Sequence, residues 1–387
     1  FNKLSCGDNG TAKTYMVKYK ITDKLDRVVE DSRSFTVTPP VFEWAMAENA
    51  GDIFAKYAYL RVKAKDADKV TFYHNGSQLT DLIPLGQEEN GVVSFVWNNL
   101  TAGQSYSNIT AKYDGGRELS GISFTTENDA QLPDNIGQLE EWNAKGVKYE
   151  GIGIDVSATA GVGKYASSPY RSWERWEIKG WGTLNSKTTQ YGAERTSRFT
   201  AFSTPYTWTR YVANSGTIKT EGINGGNAAQ IRTVGWGNKA PAISSGFGDC
   251  ENSDAGELFL GDNFEKGILF TSRPRKITFY YRYIPKNIQD YGEAVFVVKD
   301  SQQNIIATKS FKFESQSSWT QESILLEYGV TKASSLCIIF KSTVNESCLE
   351  RNSENFSHPD SQDMGKGEFV GSQLYIDDVE LIYDYQE

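Results

Sequence analysis

Hydrophobic residues along the chain recur mostly in short runs that alternate with polar residues, which is the period of a β-strand. In KITFYYRYI, for example, Ile277, Phe279, Tyr281 and Tyr283 fall on the same face. Such runs, bounded by Gly, Asn, Asp or Pro, include TYMVKYKIT, VVSFVW, EAVFVVKD, ATKSFKF, SLCIIF and QLYIDDVELIY. No helical period is sustained anywhere in the sequence. The pattern predicts an all-β protein of antiparallel sandwiches rather than a parallel sheet.

The order of these runs predicts three segments. Residues 1–38 hold two strands joined by the turn DKLDR, too few to be stable alone. We expect them to form part of a module or to pack on the next one. Residues 39–127 predict a complete β-domain, and the linker DAQLPDN then leads into a larger β-domain over residues 130–387.

The second segment contains the stretch NNLTAGQSYSNITAKYDGG. Its apolar-Thr-x-Gly-x-x-Tyr pattern, at Leu100, Thr101, Gly103 and Tyr106, is similar to the turn that precedes a strand in fibronectin type III and immunoglobulin-like domains. The resemblance implies an immunoglobulin-like β-sandwich for residues 39–127.

The charge and length of the chain exclude several classes of function. A net charge of −9 argues against a nucleic-acid surface and against binding to anionic lipid. No run approaches the roughly 20 apolar residues that span a bilayer. The 387 residues include 21 Tyr and 9 Trp, more than a core of this size needs, so we expect some of them to face solvent.

Aromatic residues cluster in YRSWERWEIKGW and FSTPYTWTRYV. Sugars present an apolar C–H face, and a flat ring flanked by charged and amide groups offers rigid apolar area with hydrogen-bond partners nearby. Because Trp-Glu-Arg-Trp in a strand cannot all point inward, part of the first cluster is expected to face solvent. The alternative, that each tryptophan belongs to the core, stays open. The residues predicted to bind a saccharide are Trp173, Arg175, Trp176, Trp181, Trp208 and Arg210.

Two adjacent acids interrupt the pattern of the last strand, SQLYIDDVELIY. Apolar parity runs through Leu374 and Ile376 and resumes at Val379, one residue out of step, which a β-bulge at Asp377–Asp378 explains. A bulge directs carboxylates and backbone carbonyls to one place, and Ca²⁺ takes roughly six to eight such oxygen ligands. The sequence therefore leaves two interpretations, a calcium site and a solvated bulge.

Signals for an enzyme are weak. His74 and His358 are the only histidines in the sequence, which excludes a His-rich metal site, and no phosphate-binding glycine loop occurs. With 49 acids, an acid pair for glycoside hydrolysis can be neither argued for nor against. We therefore expect a non-catalytic protein.

Cys337 is predicted to be a core residue, whereas Cys250 and Cys348 pair only if the compartment is oxidising.

Five stretches of residues 130–387 resemble the PCMD family, the carbohydrate-metabolism domain of surface proteins from gut Bacteroidetes. These stretches are NGGNAAQIRT, GELFLGDNF, GILFTSRPRKITFYYRYIP, GEAVFVVKD and LYIDDVELIY. The resemblance implies a jelly-roll β-sandwich that follows immunoglobulin-like modules on secreted or lipid-anchored proteins.

QLEEW and LYIDDVEL are also similar to the terminal strands of jelly-roll carbohydrate-binding modules. In those modules the two strands pair, and an acid from the first strand and an aspartate from the last hold a structural Ca²⁺. This resemblance implies Glu140, with Asp377 or Asp378, as the ligands of a structural calcium ion in this chain.

Together these patterns predict an extracytoplasmic protein that binds poly- or oligosaccharide on exposed Trp and Tyr of its C-terminal jelly roll, without catalysis. KLSCG, near the start, is a hint of lipoprotein cleavage, so we expect an outer-membrane anchor at the cell surface or a periplasmic location. Two alternatives stay open: a glycoside-active enzyme on the same sandwich, and an adhesive or structural surface protein that recognises protein partners.

Overall fold

The computed structural model describes residues 11–114, 116–150, 155–156, 170–189, 197–201, 204–208, 215–238, 250–344 and 370–385. The chain divides into two compact units, Phe1–Asp129 with Tyr383–Glu387, and Ala130–Ile382. The division falls at the start of DAQLPDN, the stretch from which the sequence predicts a linker. No helix among the described residues is long and apolar enough to cross a membrane.

The first unit contains ten described strands and two short 3₁₀ turns. The turns are Glu48–Ala50 and Ala67–Lys69. The strands are β1 (Lys13–Thr22), β2 (Val28–Val37), β3 (Glu43–Trp44), β4 (Ala58–Lys63), β5 (Val70–His74), β6 (Ser77–Gln78), β7 (Ile83–Gln87), β8 (Val92–Trp97), β9 (Ser105–Tyr113) and β10 (Arg117–Thr125).

Eight of these strands form a β-sandwich. They are arranged in two four-stranded antiparallel sheets, β3-β4-β8-β7 and β10-β9-β5-β6. Leu60 and Val62 of the first sheet share one buried cluster with Phe72 and Ile109 of the second. The remaining strands, β1 and β2, form a hairpin, and within the described residues they pair only with each other.

The turn before β9 is built by the residues of the fibronectin-like motif. Leu100 is buried, and the backbone N–H of Thr101 donates to the Tyr106 hydroxyl at 2.8 Å. Gly103 has a φ of +66°, and a Cβ at this position would lie 2.9 Å from Asn128 Oδ1, so the turn needs glycine there.

The second unit contains a 3₁₀ turn (Pro133–Gln138), the helix α1 (Asn185–Thr188) and the remaining strands. The strands are β11 (Trp142–Glu150), β12 (Asp155–Val156), β13 (Tyr170–Ile178), β14 (Trp181–Thr183), β15 (Ser197–Ala201), β16 (Thr204–Trp208), β17 (Thr217–Glu221), β18 (Asn227–Asn238), β19 (Cys250–Asp254), β20 (Glu257–Leu260), β21 (Ile268–Leu269), β22 (Lys276–Ile284), β23 (Gly292–Lys299), β24 (Ile305–Phe313), β25 (Gln316–Leu325), β26 (Ser335–Lys341) and β27 (Val370–Ile382).

Two sheets of the second unit pack face to face. The eight-stranded sheet runs β11-β13-β14-β20-β26-β23-β24, with β21 on β26, and the six-stranded sheet runs β17-β18-β27-β22-β25, with β19 on β18. The fully buried ring of Phe279, in β22, lies 5.9 Å from the ring of Phe296 and 5.4 Å from that of Phe340, both in the opposite sheet. This aromatic core makes the unit a β-sandwich, which confirms the predicted fold class. A small third sheet has the order β12-β16-β15.

Burial along β22 follows the alternation of KITFYYRYI. Ile277, Phe279, Tyr281 and Tyr283 are each 8% exposed or less and lie on the core side. The residues between them are half-buried on the other face. One face of β22 therefore belongs to the core, and the other is available for other contacts.

Cys337, in β26, is buried as predicted, and burial raises the pKa of its thiol. Cys348 and the side chain of Cys250 lie outside the described residues, so their pairing stays a prediction.

β27 lies at the centre of the six-stranded sheet, between β18 and β22. Thr278 of β22 pairs with Glu380 of β27, and Tyr280 pairs with Asp377, so two residues of β27 stand opposite one residue of β22. This extra residue forms the bulge that the sequence predicts, and Asp378 takes a left-handed conformation with a φ of +46°.

The expected pairing of the first and last strands of the jelly roll is wrong. β11 pairs with β13, whereas β27 pairs with β18 and β22. The segment before β11 contacts β27 through a side chain and a turn instead. The Gln131 amide donates to Leu381 O at 2.7 Å and accepts from Leu381 N–H at 3.0 Å. A Cβ on Gly137 would collide with Val379 O, so only glycine lets the 3₁₀ turn approach β27 this closely.

We expect Phe279→Ala to lower the free energy of unfolding of the second unit by about 3–5 kcal/mol, because the deletion leaves a cavity between the two sheets. Ile305→Ala is the matched control: Ile305 is 60% exposed, and its truncation is expected to cost no more than about 0.5 kcal/mol. Urea unfolding curves of both variants check this. Equal losses would contradict the assignment of the core.

Candidate functional site

The structure places three of the six predicted saccharide-binding residues on β13. These are Trp173, Arg175 and Trp176. The side chains of Trp173 and of Trp208, in β16, lie outside the described part of the structure, as does the whole of Arg210. The predictions for these three residues therefore stay predictions.

Trp176 is half-buried and held in place by residues of several elements. Its backbone N–H donates to Ser215 Oγ at 3.1 Å, and its carbonyl accepts from Asn185 Nδ2 at 2.7 Å. Its ring meets that of Trp142 edge-on at 6.3 Å, and the Lys219 ammonium lies 5.5 Å from its centroid. Trp176 is thus a fixed, partly accessible ring beside a cation.

The two other described members of the predicted set have different environments. Arg175 is half-buried, and its Nε donates to Thr189 Oγ1 at 2.8 Å. Trp181 is only 6% exposed, and its Nε1 donates to Ile136 O at 2.9 Å. Its ring lies 6.1 Å from that of Phe340 in the core. The prediction of Trp181 as a sugar platform is therefore wrong, because a buried indole offers no face to a ligand.

A second group of aromatic and polar residues lies on the six-stranded sheet, on the face opposite the Phe279 core. We call this surface the Arg282 face. It is formed by Gln230 of β18, Arg282 of β22, Trp319 of β25, and Gln373 and Tyr375 of β27. Strand register brings these residues together, since Tyr375 pairs with Arg282 on one side and with Gln230 on the other.

Arg282 lies between two aromatic rings. Its Cζ is 4.2 Å from the centroid of the Tyr375 ring and 5.1 Å from that of the Trp319 ring. The two rings meet edge-on at 6.3 Å. Cation–π attraction between a guanidinium and ring faces at such distances is worth about 0.5–2 kcal/mol. The three side chains therefore fix one another's positions.

A triangle of hydrogen bonds holds the polar edge of the Arg282 face. Gln230 Nε2 donates to Gln373 Oε1 at 2.6 Å and to the Tyr375 hydroxyl at 2.9 Å. The Tyr375 hydroxyl in turn donates to Gln373 Oε1 at 3.1 Å. Within the described residues, Gln230 Oε1 and Gln373 Nε2 have no partner, so one acceptor and one donor remain for a ligand.

Two guanidinium groups lie near the Tyr375 hydroxyl. Burial raises the pKa of this phenol, and the positive charges of Arg282 and Arg232 act in the opposite direction. Arg232 is itself buried and donates through Nη2 to Ser215 O at 2.7 Å. Arg282 therefore contributes positive charge to this face of a chain whose net charge is −9.

Part of this face could be predicted from the sequence. The alternation in KITFYYRYI places Arg282 opposite the buried tyrosines, and SQLYIDD places Gln373 and Tyr375 opposite Leu374 and Ile376. The signal that was missing is the cross-strand register, because strands nearly 100 residues apart in sequence meet there.

The predicted metal ligands meet at a turn between β17 and β18. Asp377 is 4% exposed, and its Oδ2 and Oδ1 accept hydrogen bonds from the N–H groups of Ile223 and Asp378, each at 2.9 Å. Glu140 is exposed, and its Oε2 accepts from Asn227 N–H at 2.8 Å. The structure thus brings Glu140 and Asp377 to the same turn.

Glycines in this turn allow the two acids to approach it. A Cβ on Gly222 would collide with the Asp377 carboxylate, and a Cβ on Gly226 would collide with the Glu140 carboxylate. The carboxylates of Asp377 and Glu140 therefore pack directly against the backbone of these two glycines.

The charges of the predicted acids act on one another. Burial is the main cause that raises the pKa of Asp377 to about 6, and the charges of Asp378 and Glu140 raise it further against two backbone hydrogen bonds. Burial and the charge of Glu140 also raise the pKa of Asp378. A cation placed among these groups would relieve both effects.

Carboxylate oxygens suit a hard cation, but the described side chains here are not close enough together to form a complete metal site. Over the described residues, no three His, Cys, Asp or Glu side chains are grouped so that they could hold a metal ion. Both oxygens of Asp377 already accept backbone N–H groups. The assignment of Ca²⁺ to Glu140, Asp377 and Asp378 therefore stays a prediction.

No protein-family model matches this chain, and no curated protein matches it. One similar solved structure is an arabinose-bound α-L-arabinofuranosidase, MgGH51, with 11% identity and a TM-score of 0.23, over 44% of this chain and only 22% of that one. A second is the family 11 carbohydrate-binding module from Clostridium thermocellum in complex with a β-1,3-1,4-mixed-linked tetrasaccharide, with 10% identity and a TM-score of 0.24, over 55% of this chain and 93% of that one.

A third similar structure is SGBP-B of the Bacteroides ovatus mixed-linkage glucan utilization locus, in complex with a mixed-linkage heptasaccharide. It has 10% identity and a TM-score of 0.19, over 87% of this chain and 82% of that one. At such TM-scores these likenesses bear on neither fold nor function. The resemblance of residues 130–387 to the PCMD family stays a prediction.

The raised pKa of Asp377 has a consequence for stability. The folded pKa of about 6 lies above the ordinary aspartate value of 3.8, so folding favours the protonated carboxyl. This contribution is complete below about pH 4 and is lost as the pH rises through 6. We expect the stability of the wild type, relative to Asp377→Asn, to fall by up to about 3 kcal/mol between pH 4 and 7 in metal-free buffer.

Urea unfolding at pH 4, 5, 6 and 7 measures this difference. Glu380→Gln, at an exposed position of the same strand, is the control. If the stability difference between the wild type and Asp377→Asn does not change from pH 4 to pH 7, the burial of a titrating carboxyl at position 377 is contradicted.

Proposed function

We propose that the second unit, Ala130–Ile382, binds glycans on its Arg282 face. The observation that carries the proposal is the half-buried Trp319 ring beside the Gln230 and Gln373 amides, which keep an unused acceptor and donor among the described residues. Tyr375 is only 8% exposed and holds these groups in place. A sugar presents an apolar C–H face and a rim of hydroxyls, and this surface offers a partner for each.

The rigidity of this face supports the proposal. Its residues come from neighbouring strands of one sheet, and the ring stack and the hydrogen-bond triangle hold their side chains in place. A surface ordered before binding loses less side-chain entropy when a ligand arrives. Binding groups on strands are also held more precisely than groups on loops.

A second candidate surface for the same function is the predicted one on β13. Trp176 and Arg175 remain proposed ligand residues there, together with Trp173, Trp208 and Arg210. We place this surface after the Arg282 face, because the Arg175 guanidinium already donates to Thr189, whereas Arg282 has no hydrogen-bond partner among the described residues.

We propose binding without catalysis. A glycoside-active enzyme needs an acid that stays protonated near neutral pH and a carboxylate beside the bond to be cleaved. Asp377 has a raised pKa, but it is buried, and both of its oxygens accept backbone N–H groups, so it is poorly placed to meet a substrate. The resemblance to the PCMD family supports an extracytoplasmic location, either lipid-anchored at the cell surface or in the periplasm. The alternative to glycan binding is an adhesive or structural surface protein that recognises protein partners.

We expect Trp319→Ala to lower the affinity for a bound glycan about 30-fold, because truncating an aromatic anchor typically costs about 2 kcal/mol. A glycan array with the intact chain identifies the ligand, and titration calorimetry then measures the variant. Tyr19→Ala, at an exposed tyrosine of the other unit, is the matched control and should leave the affinity unchanged.

The same titration with Trp176→Ala separates the two candidate surfaces. If this variant loses affinity while Trp319→Ala binds like the wild type, the binding surface lies on β13 and not on the Arg282 face. If the array shows no glycan bound by the wild type, glycan binding itself is contradicted.

The calcium prediction is tested independently of sugar. We propose that Ca²⁺ binds beside Asp377 and Asp378, so chelation should lower the melting temperature of the wild type, and added Ca²⁺ should restore it by mass action. The double variant Asp377→Ala, Asp378→Ala should show no response to either treatment, and Glu380→Ala should respond like the wild type. A wild-type melting temperature that is equal with chelator and with Ca²⁺ would refute the site.

A further inference from the structure

Arg282 carries a charge that no described residue balances. Its contacts among the described residues are the rings of Trp319 and Tyr375, and it forms neither an ion pair nor a hydrogen bond with any of them. A guanidinium stays protonated at every pH at which a protein is folded. The Arg282 face therefore presents a permanent cation in a chain whose net charge is −9.

The nitrogens of Arg282 are arranged so that a ligand can reach some of them. Nε is enclosed and has no acceptor among the described residues. The two terminal nitrogens are not enclosed, and Arg282 as a whole is half-buried. The rings fix the orientation of the guanidinium, but they do not accept hydrogen bonds from the N–H groups that lie in the guanidinium plane. Its terminal edge is therefore a positioned donor pair with no partner of its own.

The acids of the neighbouring strand do not serve as that partner. Asp377, two residues beyond Tyr375, uses both oxygens on the N–H groups of Ile223 and Asp378. A neutral hydroxyl would satisfy one N–H and leave the charge unbalanced. A carboxylate matches the planar fork with two parallel hydrogen bonds and also balances the charge.

We propose that the glycan bound on the Arg282 face is an acidic one, and that the carboxylate of a uronic acid residue pairs with the terminal nitrogens of Arg282. This inference rests on the proposed function of that face. The half-buried Trp319 ring packs beside the sugar ring, while Gln230 Oε1 and Gln373 Nε2 meet its hydroxyls. A sulfate ester offers a negative charge in tetrahedral geometry, so sulfated sugars form a separate arm of the test.

The experiment titrates the intact chain with oligosaccharides of galacturonic, glucuronic and mannuronic acid. Each probe is matched by its carboxyl-reduced neutral counterpart, and a sulfated neutral oligosaccharide is added. We expect at least one uronate probe to bind about 10- to 100-fold more tightly than its neutral counterpart, the range typical of a hydrogen-bonded charge contact. Arg282→Gln should remove this preference, so that the uronate and its neutral counterpart bind with equal affinity, whatever the loss common to both.

Two further variants and a salt series make the result specific. Arg282→Lys keeps the charge but loses the planar fork, so it should retain only part of the preference. Lys309→Gln removes an exposed charge from β24 in the other sheet and should retain all of it. In the wild type, raising NaCl from 50 to 500 mM should weaken the binding of uronate probes and leave the binding of neutral probes unchanged. This salt series tests the charge contact without a substitution in the Arg282 face.

The outcomes separate the inference from the proposed function. Equal affinity for uronate and neutral probes, or a uronate preference that survives in Arg282→Gln, overturns the acidic-sugar inference while glycan binding stands. A preference for the sulfated probe alone overturns the assignment of a uronate carboxylate as the partner of Arg282. Failure of every acidic and neutral glycan to bind overturns the proposed function as well.

Discussion

The packing of Phe279 between Phe296 and Phe340 is the contact on which the rest of the second unit depends. It commits one face of β22 to the core, and because side chains alternate along a strand, it commits Arg282 to the other face. Register then matters as much as burial. A slip of one residue in β22 would move Arg282 into the core and a tyrosine to the surface, so the hydrophobic core also specifies the geometry of the candidate site.

β27 shows how a local irregularity is used. The bulge at Asp377–Asp378 keeps both parts of the strand in register with the core, so Leu374 and Leu381 are each buried although an extra residue lies between them. Its cost is a carboxyl group that burial and two neighbouring acids hold at a pKa of about 6. The N–H of Ile223, in the turn between β17 and β18, and the N–H of Asp378 offset part of that cost. The close approach of the Asp377 carboxylate explains why this turn needs glycine at Gly222.

The alternation of residues predicted the fold class, the core face of β22 and the bulge, because each depends on spacing within one strand. The surface that carries the proposal could not be predicted, because Gln230, Arg282, Trp319 and Tyr375 meet only through the pairing of distant strands. Trp181 was mistaken for a surface residue for a related reason. Its burial depends on the approach of the 3₁₀ turn before β11, which receives the indole N–H and has no periodic signal in the sequence.

The two candidate surfaces differ in what their polar groups still have to offer. On β13, the guanidinium Nε of Arg175 already donates to the Thr189 hydroxyl. On the Arg282 face, the rings orient the guanidinium without using its donors, and the amide triangle leaves one donor and one acceptor unused. Polar groups that are held in place but incompletely bonded cost stability in the free protein. A ligand that completes these bonds would recover that cost, and an anionic ligand would also balance the charge of Arg282.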